Sequence, residues 1–477
     1  MSRPHITDDS VPPSRAGGGG GARPVAMVIA LCAAVALVDG FDTQAISLAA
    51  PAIGAEWQVD PHSFGTVFSV GLLGGLVGAM AAGVIGDRVG RRPLVLFGVL
   101  EFALLTLLTP ALATSMESLE VLRFITGIGL GAAVPGIVSL ASEYAPARSR
   151  ATVVGLMWCG FPMGAVVGGL LAAWMIPALG WQSLFYVGGV APLLVLVVAF
   201  VKLPESARFL QVRGDTAGAA EILDRLGIEP ETADAETGHD SAAKSPVVDL
   251  FRQGRAAGTL LLWAVMFCTL LMAYFLAVWL PTIAAGAGMS NALLAVSALN
   301  LGGVVGCLVI SRISDRLARP ARLIGAAYAV GAVFIALIGW ANGSGGLLLL
   351  VTFVAGLGAI GAQLCTVSLS AMFYETRLRA TGVGWSAGAG RLGGIVGPML
   401  GAKLLADGAS PSTMFLVAGG AALLCGLVLF AFSLTGRPRR RTPEASGPAE
   451  AEAATAAEAA APASAKARHI LSNRRTT

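Results

Sequence analysis

The sequence predicts an all-α membrane protein of twelve transmembrane helices, arranged as two pseudo-symmetric six-helix bundles. Three observations carry that expectation. Of the 477 residues, 55% are hydrophobic and 13% charged, and 62 are glycine. That balance suits a polytopic helical membrane protein with close helix contacts, and neither a soluble enzyme nor a disordered chain. Apolar stretches of bilayer-spanning length occur as six, a polar break, and six more. The halves also repeat each other: Arg148-x-Arg150-Ala-Thr-x-Val-Gly155 recurs as Arg377-x-Arg379-Ala-Thr-x-Val-Gly384, and Gly86-Asp87-Arg88 has a worn counterpart in Ser314-Asp315-Arg316. A parallel six-helix repeat implies a carrier that binds its substrate between two bundles, near the midplane.

Taken in order, residues 1–23 are rich in Pro and Gly and are expected to be a disordered cytoplasmic N-terminus. The first apolar stretch is too long for a signal peptide, contains two aspartates and lacks a small-residue cleavage site, so it reads as a retained helix. Spans at roughly 25–50, 64–86, 93–113, 119–143, 151–176 and 182–203 form an N-terminal bundle over 24–203. The polar stretch 204–256 is the central cytoplasmic loop. Spans at roughly 257–284, 291–311, 321–341, 346–372, 379–405 and 411–434 form the C-terminal bundle over 257–434. The remainder, 435–477, opens on the basic run Arg437 to Arg441 and continues as Ala-, Pro- and Glu-rich low complexity, a solvated cytoplasmic tail.

Orientation follows from the basic residues. Arg88, Arg91, Arg92, Arg148, Arg150, the central loop and Arg377 fall in every second gap between spans. The alternate gaps carry Glu56, Asp60 and Glu117 and no basic residue apart from Lys403 near a helix end. The positive-inside rule therefore puts both termini and the central loop in the cytoplasm, across a cell inner membrane. The six cysteines sit in apolar segments without CxxC spacing, and none of the four histidines lies in a span, so neither a metal site nor a cofactor is expected.

Within the first span, Asp39 and Asp42 stand out. A carboxylate near the middle of a membrane helix costs roughly 2.5–3.5 kcal/mol on insertion scales, so two on nearly one face call for a partner or a role. Span one runs outward and span four inward, which puts Asp42 and Arg123 both in the outer half, where they are expected to pair. Asp39 lies deeper, with no basic residue at its level in the first half, and is the expected proton carrier. Glu101, midway in span three, is a further proton-coupling candidate, with a packing role equally open. Arg391, about twelve residues into its span, offers a planar fork suited to a carboxylate, and the C-terminal spans hold no Asp or Glu at its depth. Phe41, Trp158, Phe161, Tyr274, Trp279 and Trp385 could cover a planar ring, and Gln44 and Gln363 could hydrogen-bond a ring substituent.

The loop Gly83-x-x-Gly86-Asp87-Arg88-x-Gly90-Arg91-Arg92 resembles the signature loop of the major facilitator superfamily, and Pro204-Glu205-Ser206-x-Arg208 resembles that superfamily's second common motif. Several stretches narrow the resemblance to the aromatic acid:proton symporter family. They are Asp39-Gly-Phe-Asp42-Thr-Gln-Ala, Ser142-Glu143-Tyr144-Ala-Pro146, Tyr274 to Thr282, and Arg379-Ala-Thr-Gly-Val-Gly-Trp385 through Arg391 to Pro398. Glu375 and Gly136 depart from the family's pattern, standing where proline and a polar residue are expected. The resemblance implies the major facilitator fold and import of an aromatic carboxylate such as benzoate, hydroxybenzoate or protocatechuate by proton symport, by a monomer.

On this reading Asp87, Arg88, Arg91, Arg92, Glu143, Arg148 and Asp315 gate the cytoplasmic side, with Glu143 expected to pair with Arg88, Arg91 or Arg148. A proton-coupled carrier of another organic anion or of a sugar is the nearest alternative. A membrane sensor would be expected to carry a sizeable soluble output domain, and an enzyme would need a nucleophile, metal or cofactor constellation that the sequence does not offer.

Overall fold

The computed structural model of the chain describes residues 22–146, 150–228, 247–252, 254–286, 288–289, 291–314, 317, 320–341, 344–374 and 376–434. Arg148 and Asp315 lie outside the described residues, as do most of 1–23, part of the central loop and the whole of 435–477.

Among the described residues there are helices and no strands. The long ones are α1 Ala22–Trp57, α2 Phe64–Val89, α3 Arg91–Leu112, α4 Met116–Tyr144, α5 in two pieces (Arg150–Trp158 and Gly160–Leu179) and α6 Gln182–Lys202. They continue with α7 Ala256–Gly286, α8 Ala292–Ser314, α9 Pro320–Ile338, α10, α11 Thr376–Ala406 and α12 Pro411–Leu434. Helix α10 runs as Gly345–Ala355 and Gly361–Phe373, joined by a π-helical turn over Gly356–Ile360. Two short helices, Ala207–Val212 and Thr216–Leu226, follow α6. Eleven helices of the described residues are long and apolar enough to cross a membrane, making this a multi-pass membrane protein. The remaining long helix, α11, carries eight glycines with Arg377, Arg379, Arg391 and Lys403, which lowers its apolarity.

Helix contacts follow the repeat: α1 packs on α5, and α2 and α3 on α4, while α7 packs on α11 and α8 on α10. Without water to expel, helices associate in a bilayer through close backbone approach, so small residues line the seams. A Cβ added at Gly74 or Gly78 of α2 would run into the carbonyl oxygens of Phe124 and Ile128 in α4. In the second half, Gly302 and Gly306 of α8 meet the carbonyls of Phe353 and Leu357 in α10 in the same way. The opposite faces are apolar and outward-turned, as at Met80, Phe97, Trp174 and Leu194.

The end of the bundles that carries the segment between α6 and α7 is termed the inner end, and the opposite one the outer end. Three hydrogen bonds from a side chain of one bundle to a main-chain carbonyl of the other join the halves toward the outer end. Gln44 Nε2 of α1 donates to Ala277 O of α7 at 2.5 Å, Ser69 Oγ of α2 to Ile395 O of α11 at 3.0 Å, and Ser297 Oγ of α8 to Val166 O of α5 at 2.8 Å. Trp279 of α7 is fully buried there, donating to Pro398 O at 3.0 Å and meeting Phe68 of α2 edge-on at 5.6 Å. Toward the inner end the facing positions open. Nothing lies within 4 Å of a Cβ built at Gly155 of α5 or at Gly384 and Gly388 of α11.

Candidate functional site

Asp42 is fully buried and supplied with donors from two helices. Arg123 of α4, 5% exposed, reaches it with both terminal nitrogens, Nη1 to Oδ2 at 3.3 Å and Nη2 to Oδ1 at 3.4 Å. The hydroxyl of Thr106 in α3 donates to Oδ1 as well, and Arg123 Nη2 lies 3.5 Å from Thr106 Oγ1. The guanidinium also sits over the ring of Phe185 in α6, 5.8 Å from its centroid. Four helices are thereby tied around one carboxylate. Neither Thr106 nor Phe185 stands out in the sequence, since a lone threonine or phenylalanine in an apolar run carries no signal.

Asp39 is buried but poorly supplied. Its only hydrogen-bond donor is Thr43 Oγ1, one helical turn on, at 3.3 Å. Its electrostatic neighbours are Asp42 on its own helix, Arg391 of α11 across the interface and the phenol of Tyr274 in α7, which also neighbours Arg391. The sequence reading found no basic residue at the level of Asp39 because it searched the first half alone; the cation comes from the second.

Arg391 makes no hydrogen bond and no ion pair to any described residue. Gly384, Gly388 and Arg391 share one face of α11, and both glycines look into open space. The face of α11 inward of the guanidinium is therefore unobstructed at both glycines. Trp158 lies one turn from the open Gly155 on α5, and Gln363 one turn from the exposed Val367 on α10, just inward of the π-helical turn. Such turns mark helices whose backbone is re-aimed at a site. Phe161 is half-buried, and its carbonyl rests on Gly40 of α1.

Four sequence expectations meet a different geometry. Phe41, 5% exposed, turns into the N-terminal bundle against Gly168 and Gly188, because those two glycines leave a slot of ring size between α5 and α6. Gln44 spends its amide nitrogen on Ser47 Oγ at 2.6 Å and on Ala277 O, so it joins the outer seam. Trp385 is half-exposed and stacks on Trp263 of α7 at 5.7 Å, on a face of α11 turned about 120° from Arg391 at 100° per residue. Trp279 also belongs to the outer seam. Glu101 lies against Gly129 of α4 with both carboxylate oxygens buried.

The inner ends hold the motif residues. Arg91 donates to Asp87 at 2.8 Å and to Gly86 O at 2.9 Å, and Arg92 to Phe200 O at 2.6 Å. Gly90, at φ +108°, makes the turn between α2 and α3 in a region that L side chains avoid. The carboxylate of Glu205 accepts from the main-chain N–H groups of Arg91 and Arg92 at 2.8 and 3.1 Å, neutralising the exposed donors at the start of α3. Glu143 pairs with neither Arg88 nor Arg91; it accepts from Ser206 Oγ at 2.6 Å and from the N–H of Arg208 at 2.9 Å. The Pro204-Glu205-Ser206 turn thus comes between Glu143 and the arginines, a contact that sequence spacing alone does not reveal.

Comparison with known proteins places this architecture among transporters. The sequence profile of the Major Facilitator Superfamily matches residues 32–372 and 322–476. The chain is 41% identical over 391 residues to the 4-hydroxybenzoate transporter PcaK of Pseudomonas putida, covering 80% of this chain and 86% of that one. It is 37% identical over 436 residues to the gallate transporter of Pseudomonas putida, covering 89% and 96%. Among solved structures, the inward open conformation of the xylose transporter XylE from E. coli superposes with a TM-score of 0.69 at 17% identity, covering 86% of this chain and 96% of that one.

Proposed function

The chain belongs to the Major Facilitator Superfamily and to its family of aromatic acid transporters, and from that premise we propose that it imports an aromatic carboxylate together with protons. The observation that supports the substrate's charge is Arg391, which makes no hydrogen bond or ion pair to any described residue and lies on a face of α11 that is open toward the inner end, read here as a substrate vestibule. The relatives named above are transporters of 4-hydroxybenzoate and gallate. A carboxylate takes the fork of Arg391, and Tyr274, Trp158, Phe161 and Gln363 surround the ring.

Coupling follows from Coulomb's law. Arg391 and Asp39 are electrostatic neighbours across the two bundles. An anion on Arg391 offsets a positive charge beside Asp39, and a proton on Asp39 removes a negative charge beside the anion, so each lessens the charge the other meets. Anion binding and proton binding therefore promote each other, as linkage requires of any coupled pair. Asp42, tied to Arg123 and Thr106, keeps its charge compensated internally and anchors α1 to α3 and α4. An anion entering a negative interior loses about 2.3 kcal/mol per charge per 100 mV; one proton makes that movement neutral and a second makes it favourable.

The outer seam is joined and the inner vestibule open, so the conformation is the one that releases substrate to the cytoplasm. The inner end faces the cytoplasm with both termini, in a cell inner membrane, and the carrier works as a monomer. Asp87, Arg88, Arg91, Arg92, Glu143, Arg148 and Asp315 serve the inner gate, and the bundles correspond to 24–203 and 257–434.

The test is uptake of labelled 4-hydroxybenzoate or benzoate by vesicles with an imposed proton gradient. Uptake follows the gradient and is abolished by an uncoupler; uptake indifferent to both refutes symport. In Asp39→Asn, gradient-driven uptake is lost while substrate exchange stays measurable; equal loss of both refutes the role of Asp39.

A further inference from the structure

Helix α8 carries an amide that sequence reasoning passed over. Asn300 lies one turn from Ser297, which bonds to α5, and Val304, Cys307 and Ser311 stand about one, two and three turns inward of it on the same side. Cys307 and Ser311 in turn meet Cys365 of α10, at 3.9 and 3.4 Å between side-chain atoms. Asn300 therefore points into the space between α5 and α10. Exposure along this face rises from half-buried at Asn300 to exposed at Ser311, as expected of a wall of the inner vestibule. Asn300 stands about 21 Å from the inner end of α8 and Arg391 about 22 Å from the inner end of α11, at 1.5 Å per residue. Each is thus a similar distance along its own helix.

The orientation of the amide is fixed by chemistry. Its Nδ2 donates to Val296 O on the preceding turn at 3.0 Å, and a carbonyl can only accept, so the nitrogen must face it. Oδ1 is left as an acceptor with no donor among the described residues, and it is not one of their sealed polar atoms. A plain aromatic acid has no donor to offer there, whereas a phenolic hydroxyl does. We propose that Asn300 is a specificity-determining residue that accepts a hydrogen bond from a ring hydroxyl, so that the preferred substrates are hydroxylated aromatic acids. This rests on the aromatic-carboxylate reading and adds the donor that the ring must carry.

The experiment compares benzoate, 4-methoxybenzoate and 3- and 4-hydroxybenzoate, in binding to and uptake by wild type and Asn300→Leu. Wild type should favour at least one hydroxybenzoate over benzoate and 4-methoxybenzoate by about tenfold, the effect of one hydrogen bond to a desolvated acceptor. Asn300→Leu should erase that preference while its affinity for benzoate and its unliganded unfolding temperature hold. Equal wild-type affinity for all four acids overturns the proposal, as does an Asn300→Leu protein in which the preference survives or all four affinities fall together. Absence of binding of any of these acids to wild type instead refutes the aromatic-carboxylate reading itself, so the two failures are distinct. If Asn300→Leu does not fold, Asn300→Ser, which is smaller and cannot reach as far, is read by the same criterion.

Discussion

Removing Arg123 tests the ionic anchor of the N-terminal bundle. In Arg123→Met the side-chain volume is largely kept, but the fully buried Asp42 loses both guanidinium contacts and retains only the hydroxyl of Thr106. Breaking a buried pair from one side costs about 3–5 kcal/mol, because an uncompensated charge remains in a low-dielectric site. The contacts here, at 3.3 and 3.4 Å, are longer than ideal charge-assisted bonds. The lower end of that range, about 3 kcal/mol, is therefore expected. Asp42→Asn combined with Arg123→Met removes both charges, so the double variant should be less destabilised than the sum of the two single variants by about 2 kcal/mol. The assay is the unfolding of purified protein in detergent, followed by tryptophan fluorescence at constant pH. Additive effects in the double variant, or a single Arg123→Met variant as stable as wild type, would refute the claim that the pair anchors α1 to α4.

Two further perturbations address the cleft and its seam. Arg391→Lys keeps the charge but loses the planar fork, so the KM for carboxylate uptake should rise about tenfold, and Arg391→Gln should raise it further; an unchanged KM in both would remove the substrate from Arg391. Ser69→Ala combined with Ser297→Ala deletes two of the three cross-bundle bonds at the outer seam, each contributing about 1 kcal/mol net, which should shift the equilibrium about 30-fold toward the outward-open state. Spin labels at the outer ends of α1 and α7, in a background without native cysteines, would report the longer distance; an unchanged distribution would show that the seam rests on packing alone.

The repeat-related halves are built alike in backbone and unlike in charge. Asp42, Thr106 and Arg123 link α1, α3 and α4, while in the second half Thr269, Tyr328 and Thr366 link α7, α9 and α10, the repeat-related helices. The C-terminal set consists of hydroxyls only, with Tyr328 Oη 3.1 Å from Thr366 Oγ1 and also bonded to Thr269. A neutral network holds helices together without a charge to compensate, whereas the N-terminal half buries the carboxyl groups of Asp39 and Asp42. In the C-terminal half, Arg391 makes no hydrogen bond or ion pair to any described residue.

The spans, their number and the repeat were legible in the sequence because a bilayer imposes length and apolarity one segment at a time, and each helix satisfies its own backbone. Depth along a helix was legible for the same reason, and it put Asp42 and Arg123 at one level before any coordinates. Azimuth was not. Phe41 turns into its own bundle because Gly168 and Gly188 make room for it, Trp385 turns to Trp263, and Gln44 is taken up by Ala277 O. Glu143 meets Ser206 and Arg208 because a loop distant in sequence folds between it and the arginines. The electrostatic neighbourhood of Asp39 and Arg391 arises where two bundles face each other. Which side chains share that space is decided by helix rotation and glycine-set separation, quantities that only the packed structure fixes.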